Sequence, residues 1–92
     1  MDETFLIGEL GSFAKGYKDI IGISRGNDPE EGGRVYYFLG PGTYDSNLED
    51  ALSDLSISLF DKGFSGELFR FPVSLEYVAQ EPFLGEIIWR RD

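Results

Sequence analysis

Histidine and cysteine are both absent from this sequence. Without histidine the chain lacks the commonest general base and metal ligand at neutral pH, and every Ser-His or Cys-His mechanism is excluded with it. Without cysteine there can be no disulfide framework, no thiolate nucleophile and no Cys-containing zinc site. Basic residues are scarce: eight Lys and Arg stand against seventeen Asp and Glu, a formal charge of −9 with a pI near 4.3. A surface of that sign repels phosphate backbones and anionic membranes, so direct nucleic-acid binding is not expected. Long apolar runs are missing as well, none approaching the roughly 20 residues that a spanning helix needs. The opening Met1-Asp2-Glu3-Thr4-Phe5 lacks the basic region and apolar run of a signal peptide. No membrane partner is expected, and a cytoplasmic location is the default.

Large side chains are plentiful. Eight Phe, five Tyr and one Trp make up 15% of the 92 residues, enough to build a small core without staples. An acidic chain this rich in aromatics departs from the composition of disordered segments. Residues 1–92 are therefore expected to form a single α+β domain.

Period-two alternation in Thr4–Leu10 predicts a first strand, and Tyr17–Arg25, with Ile20, Ile21 and Ile23, a second in which Gly22 marks a bulge. Gly26–Gly33 is a loop rich in Gly, Asn, Asp and Pro and reads as a hairpin tip. Arg34–Leu39 is dense in β-formers and returns as the third strand, which Gly40-Pro41-Gly42 ends. Ser46–Lys62 has the pattern of a helix. Ser46 and Glu49 have capping-box spacing, Leu48, Ala51, Leu52, Leu55 and Leu59 form an apolar stripe, and Gly63 stands where a terminating glycine belongs. Glu67–Val78 alternates as the longest strand, with Pro72 placing it at an edge or breaking it, and Phe83–Arg91 is the last. The expected fold is an antiparallel five-stranded sheet, β-β-β-α-β-β along the chain, with one amphipathic helix packed on one face.

Few residues suggest chemistry. Ser12 near Lys15 and Ser65 near Lys62 permit a Ser-Lys arrangement on paper, but neither resembles a nucleophile elbow. Asn27, Asp28, Glu30 and Glu31 concentrate oxygen ligands on one loop, yet their spacing matches no EF-hand. Gly8, Gly11 and Gly16 lack the spacing of a phosphate cradle. No catalytic residue, metal ligand or cofactor is assigned, and the chain is not expected to be an enzyme.

Binding is the expected activity. On a helical wheel Asp50, Asp54, Ile57 and Asp61 fall together opposite the leucine stripe, with Phe60 beside them. Asp45–Glu67 carries six acids and one base, Lys62, a local net of −5. Three carboxylates around an apolar side chain suit a partner protein with a basic surface, and Asp28, Glu30 and Glu31 extend the acidic surface at the hairpin tip. The expected role is that of an inhibitor, immunity protein, antitoxin or nucleic-acid mimic. The alternative is a non-catalytic accessory or structural subunit, or a homodimer, joined through aromatic-rich strands. A small-molecule binder or enzyme ranks last.

Overall fold

In the computed structural model, which describes residues 2–42 and 45–92, the first element is a helix and not the strand expected at Thr4–Leu10. This helix, α1 (Glu3–Lys15), starts where the Asp2 carboxylate accepts the Thr4 amide at 2.9 Å. Leu6, Leu10 and Ala14, four residues apart, form its buried stripe. Gly8 and Gly11 hide that periodicity in the sequence. Gly11 is buried, and a Cβ there would lie 2.8 Å from the Trp89 ring, so the helix gives up a side chain to approach the sheet.

The hairpin that follows is close to expectation. Strand β1 (Gly22–Asn27) pairs antiparallel with β2 (Arg34–Leu39), Ile23 facing Phe38 and Arg25 facing Tyr36. Residues Tyr17 to Ile21 make a turn and connector in place of the expected first half of the strand, with the Ile20 amide bonded to the Tyr17 carbonyl at 2.9 Å. The irregularity in β1 lies between Ile23 and Ser24, on the side of the last strand, rather than at Gly22. Beyond β2, Gly40 passes so close to Asp19 that a Cβ would lie 1.9 Å from its carbonyl oxygen.

Helix α2 (Ser46–Phe60) is present where the leucine stripe predicts it, though its cap is Asp45 and not Ser46. The Asp45 carboxylate accepts from the Asn47 amide at 2.9 Å and the Leu48 amide at 3.3 Å. The helix stops at Phe60, two residues before the expected Lys62, and Gly63 takes the left-handed conformation at φ 99°.

The sheet corrects the expected topology. Helix α2 carries the chain from β2 to strand β3 (Glu67–Phe71), which lies parallel to β2 with Phe69 beside Tyr37. A helical crossover returns the next strand in the same direction, whereas a short hairpin would reverse it. Pro72 then ends β3, which occupies a sheet edge; the expected continuation to Val78 is replaced by a 3₁₀ turn at Leu75–Gln80, and a second at Pro82–Leu84 takes the first residues of the expected Phe83–Arg91 strand. Strand β4 (Glu86–Arg90) pairs antiparallel with β1. The α+β class therefore holds. The sheet, however, has four strands in the order β3-β2-β1-β4 and mixed direction, not five antiparallel strands, and it carries two α-helices on one face instead of one.

Both faces of the sheet are covered, which is why every residue from Val35 to Leu39 is buried. Tyr36 and Phe38 join Leu10, Leu52 and Leu59 beneath the helices. Val35, Tyr37 and Leu39 pack with Val78 and Leu84 of the 3₁₀ segment on the opposite face. No described helix is long and apolar enough to cross a membrane.

Candidate docking surface

Burial of Leu48, Leu52 and Leu59 fixes the rotation of α2 about its axis. The 4-3-4 spacing of Asp50, Asp54, Ile57 and Asp61 then places these four together on the outer side, and all are exposed. Ile57 is 65% exposed and Phe60 71%, the two most open large apolar side chains among the described residues. Lys62, the one base in this acidic stretch, turns away: its ammonium lies 3.2 Å from Glu9 of α1 and 5.7 Å from the centre of the Phe5 ring. The other ion pairs among the described residues join Arg25 to Glu3 and Glu86. Asp50, Asp54 and Asp61 have no cationic partner among the described residues.

Asp28, Glu30 and Glu31 are positioned by the hairpin tip. The Asp28 carboxylate accepts from the Glu30 amide at 2.8 Å and the Glu31 amide at 3.0 Å, bonds that hold its carboxyl below the usual carboxylate range. The Gly32 amide bonds the Asp28 carbonyl, and Gly32 adopts φ 79° to close the turn. Asp28 is thus committed to the turn, while Glu30 and Glu31 are exposed.

The tip does not join the α2 acids in one site. It overhangs the other face of the sheet, where Asp28 and Glu30 border a hollow of about 360 Å³ lined by Val35, Tyr37, Phe69, Phe71 and Phe83. A separate groove runs between α2 and β3, bordered by Glu49, Ser53, Ile57, Glu67 and Phe69. Glu67 and Phe69 line both. The edge strand β3 therefore links the α2 face to the hairpin tip, and Phe69 is 52% exposed there. The alternation of Glu67–Val78 in the sequence puts Phe69 on one face of a strand but does not single it out for this place. The available signal was Pro72, which marks the strand as an edge and its side chains as only half-covered.

Rings fill the hollow's wall. Phe69 lies 6.0 Å from Tyr37 at 73° and Phe83 5.7 Å from it at 72°, both edge-to-face. The Tyr37 hydroxyl donates to the Asn27 carbonyl at 2.8 Å. Burial pushes the Tyr37 phenol above its ordinary value, and the charges of Asp28 and Glu67 add to the shift.

No protein-family model, curated protein or solved structure matches the chain.

The basic groups that a small-molecule site would need are mostly engaged elsewhere. Arg70 donates to the carbonyls of Phe38, Gly40, Pro41 and Phe71, with burial drawing its pKa down, and Arg25 bridges two carboxylates. Among the described residues no three acidic side chains converge as a metal site would require.

Proposed function

We propose that this chain is a small acidic protein-binding module that docks on, or blocks, a basic surface of a partner protein, as an inhibitor, immunity protein, antitoxin or nucleic-acid mimic would. The observation that carries this reading is the company kept on α2 by Ile57 and Phe60, 65% and 71% exposed, beside three carboxylates without a cationic partner among the described residues. Apolar side chains that become buried on association supply affinity, and surrounding charge steers and selects the partner. The arrangement does nothing for the helix itself. Asp50 and Asp54 repel at i,i+4, and Asp61 caps the C-terminal end of α2, where the macrodipole disfavours an anion. The missing catalytic residue types support binding over catalysis.

The test is capture from the native host's lysate at low and high salt, using the wild type, an Asp50→Asn/Asp54→Asn/Asp61→Asn variant, and Ile57→Ala/Phe60→Ala. A basic protein held by the wild type, released by salt and lost by both variants is the expected result. Retention of the same proteins by all three at every salt concentration would refute it.

The half-exposed Phe69 on the edge of the sheet favours a second reading, an accessory subunit or homodimer joined along β3. Its signature is an association that survives high salt and is lost on Phe69→Asp.

A further inference from the structure

We propose that the hollow beneath the hairpin tip is a binding site for an organic cation, the guanidinium or ammonium head of an arginine or lysine side chain presented by the basic partner. The walls are aromatic and the rim is acidic. Tyr37, Phe69, Phe71 and Phe83 line a space of about 360 Å³, and Asp28, Glu30 and Glu67 stand around it. No lysine or arginine lines it. Arg70, between Phe69 and Phe71 in sequence, is turned to the carbonyls of Phe38 and Gly40, and Arg34 borders an adjoining hollow with Asp28, Val35 and Glu67 without forming an ion pair to either acid among the described residues. Phe69 and Phe83 both stand nearly perpendicular to Tyr37, so the rings form walls and not a stack.

Aromatic walls attract a cation through the ring quadrupole and cover the aliphatic stem behind it, while carboxylates at the mouth replace part of the head's hydration. An anion would meet three carboxylates. A neutral apolar group would gain nothing from the acidic rim. The Tyr37 hydroxyl is bonded to the Asn27 carbonyl and Asp28 to the turn amides, so Glu67 and Glu30 are the carboxylates free to meet the ligand. This site is separate from the outer face of α2 but adjoins it across Glu67 and Phe69. It rests on the docking reading only in taking the cation from a polypeptide.

The experiment titrates the intact chain with acetyl-arginine amide, with the isosteric but neutral acetyl-citrulline amide, and with a short arginine-containing peptide, following the NMR shifts of Tyr37, Phe69 and Glu67. Saturable shifts with the arginine compound and none with citrulline are expected. Phe69→Leu, which keeps an apolar side chain and removes the π-face, should weaken binding roughly five- to thirtyfold, and Glu67→Gln should also weaken it. Both positions are exposed enough for the fold to tolerate the change. Equal shifts with citrulline, or no saturation with arginine, would overturn the site. Binding of the peptide no tighter than that of the amide would overturn its assignment to a polypeptide. The Asp50→Asn/Asp54→Asn/Asp61→Asn variant separates the two proposals: it should lose the captured partner yet keep the discrimination between arginine and citrulline. If the wild type captures a salt-sensitive basic protein while the hollow ignores arginine, the docking reading survives and this inference does not.

Discussion

The Nε of Arg91 donates to the carbonyl of Ile20 at 2.8 Å, across 71 residues of sequence. The same guanidinium reaches the carbonyls of Ala14 and Tyr17, so one side chain from the end of the chain closes the C-terminal turn of α1. Ala14 lies in the last turn of α1 while Tyr17 and Ile20 belong to the connector behind it, and a charged, forked donor ties the three carbonyls together.

Replacing Arg91 should therefore cost more than its position suggests. Arg91→Ala is expected to destabilise by about 1.5–3 kcal/mol, since the bonds to a charged donor are lost, although the Ala14 and Tyr17 carbonyls keep the amides of Tyr17 and Ile20. Arg91→Lys should recover only part of this, because an ammonium lacks the planar fork. The exposed neighbour is the control: Arg90→Ala should fall within about 0.5 kcal/mol of wild type in urea denaturation.

The leucine stripe of α2 is not uniform. Leu52 is 3% exposed, and Leu52→Ala should cost about 2–5 kcal/mol, whereas half-buried Leu55 should cost less on the same change. Asp54→Ala, on the outer face, should be neutral or slightly stabilising because it relieves the repulsion with Asp50. Equal losses at positions 52 and 55 in denaturant midpoints would contradict the rotation assigned to the helix.

Two glycines of one helix should respond in opposite directions. A Cβ at Gly8 would meet nothing within 4 Å, so Gly8→Ala should stabilise by about 0.5–1 kcal/mol. At Gly11 the same methyl group would lie 2.8 Å from the Trp89 ring, and the helix-propensity gain should be cancelled or reversed as the ring is displaced. Trp89 is the single tryptophan, so its fluorescence reports the displacement directly.

Two groups at the hairpin contribute to the ends of the pH-stability curve. The Asp28 carboxyl is lowered by the amides of Glu31 and Glu30, so its contribution is complete above the ordinary carboxyl pKa, about 4, and is lost as pH falls through the folded value. The Tyr37 phenol is raised by burial, with Asp28 and Glu67 adding. The unfolded chain therefore ionises first, and stability present below about pH 10 is lost as pH rises toward the folded value. Asp28→Ala should flatten the acid limb of a pH series of urea melts. Tyr37→Phe should flatten the alkaline limb and cost about 0.5–1.5 kcal/mol at neutral pH through the lost bond to Asn27.

Elements whose signal is local were legible. β2 is a run of β-formers between two turns, the hairpin tip is set by Asp28 and Gly32, and α2 is announced by its leucines. The docking candidates on α2 were legible for the same reason, since one helix face follows from spacing alone. The first helix was misread because Gly8 and Gly11 left Phe5 and Ile7 as an apparent alternation. The true stripe of Leu6, Leu10 and Ala14 becomes meaningful only when it is packed against the sheet.

By itself the sequence determined the sign of the surface, the absence of thiol and imidazole chemistry, and the local hairpin and helix patterns, because each depends on residue type or on neighbours a few positions apart. Tertiary structure alone decided that β3 runs parallel at an edge, that Lys62 turns to Glu9 and leaves the α2 carboxylates without a cationic partner among the described residues, and that Phe69 and Asp28 border one hollow. Those outcomes depend on which distant surfaces bury one another, and spacing along the chain does not encode that.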